Sequence, residues 1–167
     1  SFALFYCVLL IAPTTSEAAS LYIDPPFSEL NRGDAVELSI RLDTEEDAGE
    51  CINAVDAVIS YTSNIVPVDI SLGESIFSMW VEEPTINTEE QTISFAGGIP
   101  NGYCGRVQGD PRLTNTLVTM IFRSPGFSIG GSSDSEAEVS FTDFTTAYLN
   151  DGLGTKASLA TYGAKMT

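Results

Sequence analysis

The sequence predicts an all-β protein, an antiparallel sandwich of about nine strands. Three observations carry that expectation. Apolar and polar residues alternate in short runs, most clearly over Ala35–Asp43, where Val36, Leu38, Ile40 and Leu42 face one way and Glu37, Ser39 and Arg41 the other. Gly, Pro and Asn turn signals separate the runs. From residue 20 to Leu149 no stretch of useful length shows a helical period. Such a pattern folds as two packed sheets, and 167 residues suffice for one domain with its own core.

The chain opens with an apolar run, Phe2–Ala12, of the length of a signal-peptide core, followed by Ser16 and Ala18 as small residues before a cleavage point. Residues 1–18 are therefore expected to be a signal peptide, truncated at its front, with Ala19 as the runner-up cleavage point. The residues after Cys7 stay apolar, which argues against a lipid-anchored cysteine. Export implies an oxidising compartment.

The domain is expected over 19–156. Ser20–Asp24 is a first strand ending at Pro25-Pro26, and Asn31-Arg32-Gly33-Asp34 turns into Ala35–Asp43. Thr44–Glu50 is an acidic loop. Cys51–Tyr61 has no clearly polar face, as in a central strand. Asn64–Ile70 is a strand broken by Pro67, which points to an edge or a bulge. Phe77–Val81 is another, and Ile86–Phe95 holds one or two around a polar turn. Leu117–Phe122 is strongly β. Gly130–Ser135 is a hairpin connection, and strands follow around Val139–Phe141 and Phe144–Leu149. Residues 157–167 supply a last short strand or begin a linker.

Between Ile93 and Pro111 the chain reads as a strand that becomes a shaped loop, with glycine at Gly97, Gly98, Gly102, Gly105 and Gly109. Cys104 lies inside it. Cys51 is the one other cysteine of the mature chain, so the pair either bonds, joining the loop to the central strand, or stays as two free buried thiols.

Composition narrows the function. There are 7 Lys plus Arg against 23 Asp plus Glu, a net charge of −16, which argues against nucleic acid and anionic lipid. There is no histidine. That removes His-assisted nucleophiles and the usual zinc and copper sites. What remains on the enzyme side is a carboxylate-only glycosidase, for which Glu82 and Asp110 would be tested; no pair of carboxylates stands out. Most acidic residues, among them Glu45, Glu46, Asp47, Glu89 and Asp134, read as solvated charges. Asn150, Asp151 and Thr155, with Asp143, are hard oxygen donors suited to calcium, though Asn-Asp-Gly is equally a plain turn. No other cofactor is called for. Trp80, Tyr103 and Tyr61 are candidate rings for stacking on sugars or a partner, with Tyr148 and Tyr162 behind them. Alternation groups Trp80 with Ser78 and Glu82, on the outer side; the competing reading has Trp80 and Tyr61 closing the ends of the core.

The serial order of features carries a resemblance. A two-proline start, Asn31–Asp34 leading into an alternating strand, Ile52-Asn53-Ala54-Val55, Phe95-Ala96-Gly97-Gly98, Leu117–Phe122 and a closing Asn150-Asp151-Gly152-Leu153-Gly154-Thr155 together resemble the cohesin domain of secreted bacterial proteins, over roughly Ser20–Thr155. The resemblance implies a nine-stranded jelly roll related to cellulose-binding modules. It implies a non-catalytic, extracellular module in a polysaccharide-associated protein, with a secreted dockerin-like protein or a polysaccharide as partner. A membrane would be met only through an anchor outside this sequence. The cysteine pair and the long glycine loop depart from the cellulosomal pattern.

Overall fold

The structure is a computed structural model that describes residues 19–44, 51–105, 115–125 and 136–167. Among these are twelve strands and no helix: β1 Ala19–Asp24, β2 Phe27–Ser28, β3 Ala35–Thr44, β4 Ile52–Tyr61, β5 Val66–Ser71, β6 Met79–Asn87, β7 Thr92–Tyr103, β8 Thr116–Arg123, β9 Ala137–Phe141, β10 Thr146–Leu149, β11 Leu159–Tyr162 and β12 Ala164–Met166. The expected signal peptide, the acidic loop at 45–50, Gly109, Asp110, Asp134 and the connection at 130–135 lie outside the described residues.

The strands form two sheets. One runs β11-β1-β3-β8-β5, the other β2-β12-β9-β4-β7-β6, with β10 also pairing β4. All pairs are antiparallel except β1 with β11 and β12 with β2. Alternation explains the layers. Leu38, Ile40 and Leu42 of β3, Val55, Ala57 and Ile59 of β4, Ile93 and Phe95 of β7, and Val118, Met120 and Phe122 of β8 are all buried between the sheets. Each of these side chains larger than alanine contributes about 1.5–3 kcal/mol relative to exposure. β4 is central, between β7 on one side and β9 and β10 on the other. Pro67 lies in the edge strand β5, beside a register shift.

Four local expectations are corrected. The strands β2, β11 and β12, of two to four residues, are too short to show a period, and they raise the count from about nine to twelve. β6 is one strand from Met79 to Asn87, not two pieces. The glycine segment does not leave the sheet after Ala96; β7 runs on to Tyr103. It does so through a bulge: Ala54 pairs with Gly98 while Ile52 pairs with Tyr103, so the four residues from Ile99 to Gly102 stand opposite Asn53 alone. Finally, Ser39 and Arg41, on the polar side of β3, are buried. Ser39 and Thr119 join hydroxyls across the sheet at 3.0 Å, and Arg41 sits in a polar network described below.

Cys51 and Cys104 are bonded, with Cα atoms 4.2 Å apart and a sequence separation of 53. The bond ties the start of β4 to the end of β7 just beyond the bulge. Asn150 closes the same corner: its N–H donates to the Cys51 carbonyl at 2.7 Å and its side chain to that of Asn101 at 3.4 Å. Gly102 has φ +73°, and a Cβ there would press on the Asn150 side chain at 2.8 Å. Glycine is therefore required for both reasons.

Candidate functional site

The three candidate rings do not form a row. Tyr61 is buried and meets Phe122 edge-on at 5.6 Å, and its burial pushes the phenol up from its ordinary value. Tyr103 is buried beside the disulfide. Trp80 is half-buried, edge-on to Phe77 at 5.1 Å and to Phe95 at 6.3 Å. Trp80 thus shares the inner side with Phe77, against the alternation drawn from the sequence. The reason is local. Phe77 precedes the strand, a bend lies at Ser78, and β6 shifts register between Trp80 and Glu82 and again before Thr85. Phe77 in turn packs on Gly97, where a Cβ would approach its ring to 2.4 Å.

The calcium candidates separate. Asn150, Asp151 and Thr155 share one exposed loop, whereas Asp143 lies at the other end of β10. The neighbouring Thr142 donates to the carbonyl of Val58, and Asn150 to that of Cys51. Those two acceptors are about 20 Å apart along β4 at the usual strand rise. Asp143 therefore cannot share an ion with the loop. The Asp151 carboxylate is engaged by its own loop. The Thr155 hydroxyl and the Leu153 N–H, the latter at 2.8 Å, hold its pKa below its ordinary value of 3.8. The order this adds to the loop is present above the ordinary value and is lost as pH falls through the lowered one. In an NMR titration the Asp151 carboxyl is expected to titrate below 3.8, and Thr155→Val to raise it toward that value, since the Leu153 N–H remains. Among the described residues no group of three or more His, Cys, Asp or Glu is placed to hold a metal ion. Glu82 is exposed and accepts from the Ser94 hydroxyl at 3.1 Å.

What the structure does bring together is the outer face of the second sheet. Its register aligns rows across four strands. One row is Tyr148, Ala54, Gly98 and Met79, from β10, β4, β7 and β6. The next is Thr146, Asp56, Ala96 and Glu82, followed by Val58, Ser94 and Thr85. At normal strand spacing a row is about 14 Å wide. Its floor is low, because alanine and glycine occupy the two middle strands. Met79 is 54% and Val81 79% exposed on the edge strand, large apolar side chains facing water. Carboxylates of Asp56, Glu82 and Glu83 flank them and are exposed. Lys156, opposite Tyr148, is the neighbouring cation. Met79, Val81 and the small floor are not legible in the sequence alone. The available signal was the pairing of Ala54 with Gly98 and of Asp56 with Ala96, which depends on register.

No protein-family model matches the chain, and no curated protein matches it. Solved structures do. The cohesin of a Clostridium thermocellum type I cohesin–dockerin complex, Coh-OlpC, is similar with a TM-score of 0.65 and 14% identity, over 93% of this chain and 96% of that one. The sixth cohesin of Acetivibrio cellulolyticus scaffoldin B, solved with a dockerin, gives 0.63 and 16% over 90% and 98%. A cohesin module from a Clostridium perfringens family 33 glycoside hydrolase gives 0.56 and 12% over 92% and 98%. The chain has the cohesin fold, a two-sheet jelly-roll sandwich.

Proposed function

We propose that the domain is a non-catalytic, extracellular recognition module that docks a dockerin-like protein on the outer face of the second sheet. The observation that carries the reading is the row of Tyr148, Ala54, Gly98 and Met79, with exposed Val81 beside it. A flat apolar strip with a low floor admits the backbone of a partner element, and an apolar side chain at its edge gains most from burial. The flanking Asp56, Glu82 and Glu83, on a chain of net charge −16, favour a partner carrying Lys or Arg around an apolar contact. Two of the similar cohesins were solved with dockerins, which supports the same class of partner. The disulfide supports an oxidising, extracellular setting.

The test is binding of the oxidised domain to a panel of purified dockerins by titration calorimetry. We expect at least one to bind, and Met79→Asp to weaken it about thirtyfold, or about 2 kcal/mol, as for an apolar hot spot buried by the partner. Val81→Asp should act in the same direction. Binding by none of the panel, or binding indifferent to both variants, would remove this reading.

A further inference from the structure

The opposite face of the sandwich carries a second arrangement, independent of the docking face. In the first sheet the register sets Tyr162, Tyr22, Arg41 and Thr116 side by side on β11, β1, β3 and β8. All four belong to the outward side, since the flanking Leu21, Ile23, Ile40 and Leu42 face the core. Yet Arg41 is only 8% exposed and Thr116 2%. A guanidinium kept from water on the solvent side of a sheet is costly unless its donors are met. Here they are. Nε donates to Asp24 Oδ2 at 2.9 Å, and one terminal nitrogen donates to Asn115 Oδ1 at 3.2 Å and Thr116 Oγ1 at 2.8 Å.

The network has an outward effect. Fully buried Asn115 is fixed by donating to the Leu42 carbonyl at 3.1 Å, and its same amide donates to the Tyr22 hydroxyl at 2.9 Å. The Tyr22 ring is thereby anchored at its far end, half-buried, and its pairing partner on β11 is Tyr162, 58% exposed. The Asp24 carboxylate stays 40% exposed two residues further along β1. A ring held by a buried polar network, a second open ring beside it and a carboxylate at hand form a small amphipathic platform on a rigid sheet.

We propose that Tyr22 and Tyr162, with Asp24, form a binding site for an uncharged pyranose chain. The apolar C–H faces of the sugar rings stack on the two phenol rings, and sugar hydroxyls donate to Asp24. The strongly acidic surface of the domain sets the selectivity, because it repels uronate and sulfated chains. The site lies on the other sheet from the docking face, so a partner and a polysaccharide are held at once.

The test is retention of the oxidised domain on insoluble cellulose, chitin and mannan, with Tyr162→Ala, Tyr22→Phe and Met79→Asp variants beside the wild type. Trp80 emission checks that each variant is folded. The expected result is retention on at least one of the three. Tyr162→Ala should weaken it about tenfold, or about 1.4 kcal/mol. Tyr22→Phe, which removes only the hydroxyl that Asn115 grips, should weaken it less, and Met79→Asp should leave it unchanged. Retention on none of the three overturns the proposal. So does retention that Tyr162→Ala leaves intact or that Met79→Asp abolishes. None of these outcomes bears on dockerin binding, which is read separately.

Discussion

Replacing Phe95 with alanine is expected to lower the unfolding free energy by about 3–5 kcal/mol, the range for removing a fully buried aromatic ring. Phe95 has no exposed surface. It sits at the centre of the second sheet, paired with Ala57 of β4, and its ring lies 6.2 Å from that of Phe77 and 6.3 Å from that of Trp80. Ala57 is too small to fill the space, and Phe77 is already set on Gly97, so the surroundings have little room to collapse. Domains of this size have about 5–15 kcal/mol in total, so the loss is a large share of what is available. Urea denaturation followed by Trp80 emission gives the number directly, as a lower midpoint at unchanged slope. A loss under about 1 kcal/mol would mean that the aromatic cluster is not the centre of the core.

The second large effect is expected from the double variant Cys51→Ser, Cys104→Ser. Cross-linking residues 53 apart removes loop freedom from the unfolded chain worth about 4 kcal/mol in the chain-entropy account. The native state loses something local as well. The residues from Ile99 to Gly102 bulge out of the β4–β7 ladder, and beyond them β7 returns to the sheet at one pair, Ile52 with Tyr103, next to the disulfide. Without the bond that return rests on Asn150 and its contacts to Cys51 and Asn101. The same denaturation series, run on the wild type and on the variant, is the check. Equal midpoints would show the cross-link to be idle. Hydrogen exchange is expected to rise first at Tyr103 and Asn150, before the β4–β7 pairs from Ala54 to Ser60.

Where the sequence was read correctly, the residues concerned make their own case. β3 alternates because one side meets the core, so Leu38, Ile40 and Leu42 could be placed without a partner strand. The cysteines could be weighed because the mature chain offers a single pairing. Where reading failed, the missing information was non-local. The side to which Trp80 and Met79 turn is set by a bend at Ser78 and two register shifts, none of which changes the composition of the segment. Ala54, Ala96 and Gly98 carry no chemistry individually; they become a floor only when β4 and β7 are paired in this register. Arg41 looked like a solvated residue, since its partners Asp24, Asn115 and Thr116 come from β1 and from β8 and the turn before it, whose adjacency to β3 is not written in their order along the chain. Among the expected calcium ligands, Asn150, Asp151 and Thr155 stay together because they are sequence neighbours, while Asp143 is carried off by the length of β10.

The parallel pairing of β1 with β11 has a mechanical consequence. Ala19 lies beside Leu159 and Tyr22 beside Tyr162, so the first strand and a strand near the end of the chain run side by side in the same direction. A tensile load that draws residue 19 backward and residue 162 forward pulls these strands along their length in opposite senses. The cross-strand hydrogen bonds then share the load together instead of parting one after another like a zip. On its other flank β1 is held by six pairs with β3, from Ala19–Thr44 to Asp24–Ser39, which are loaded in the same lengthwise way. Traction between these two points is therefore met in shear, and the sandwich is built to transmit a pull with little extension before it yields.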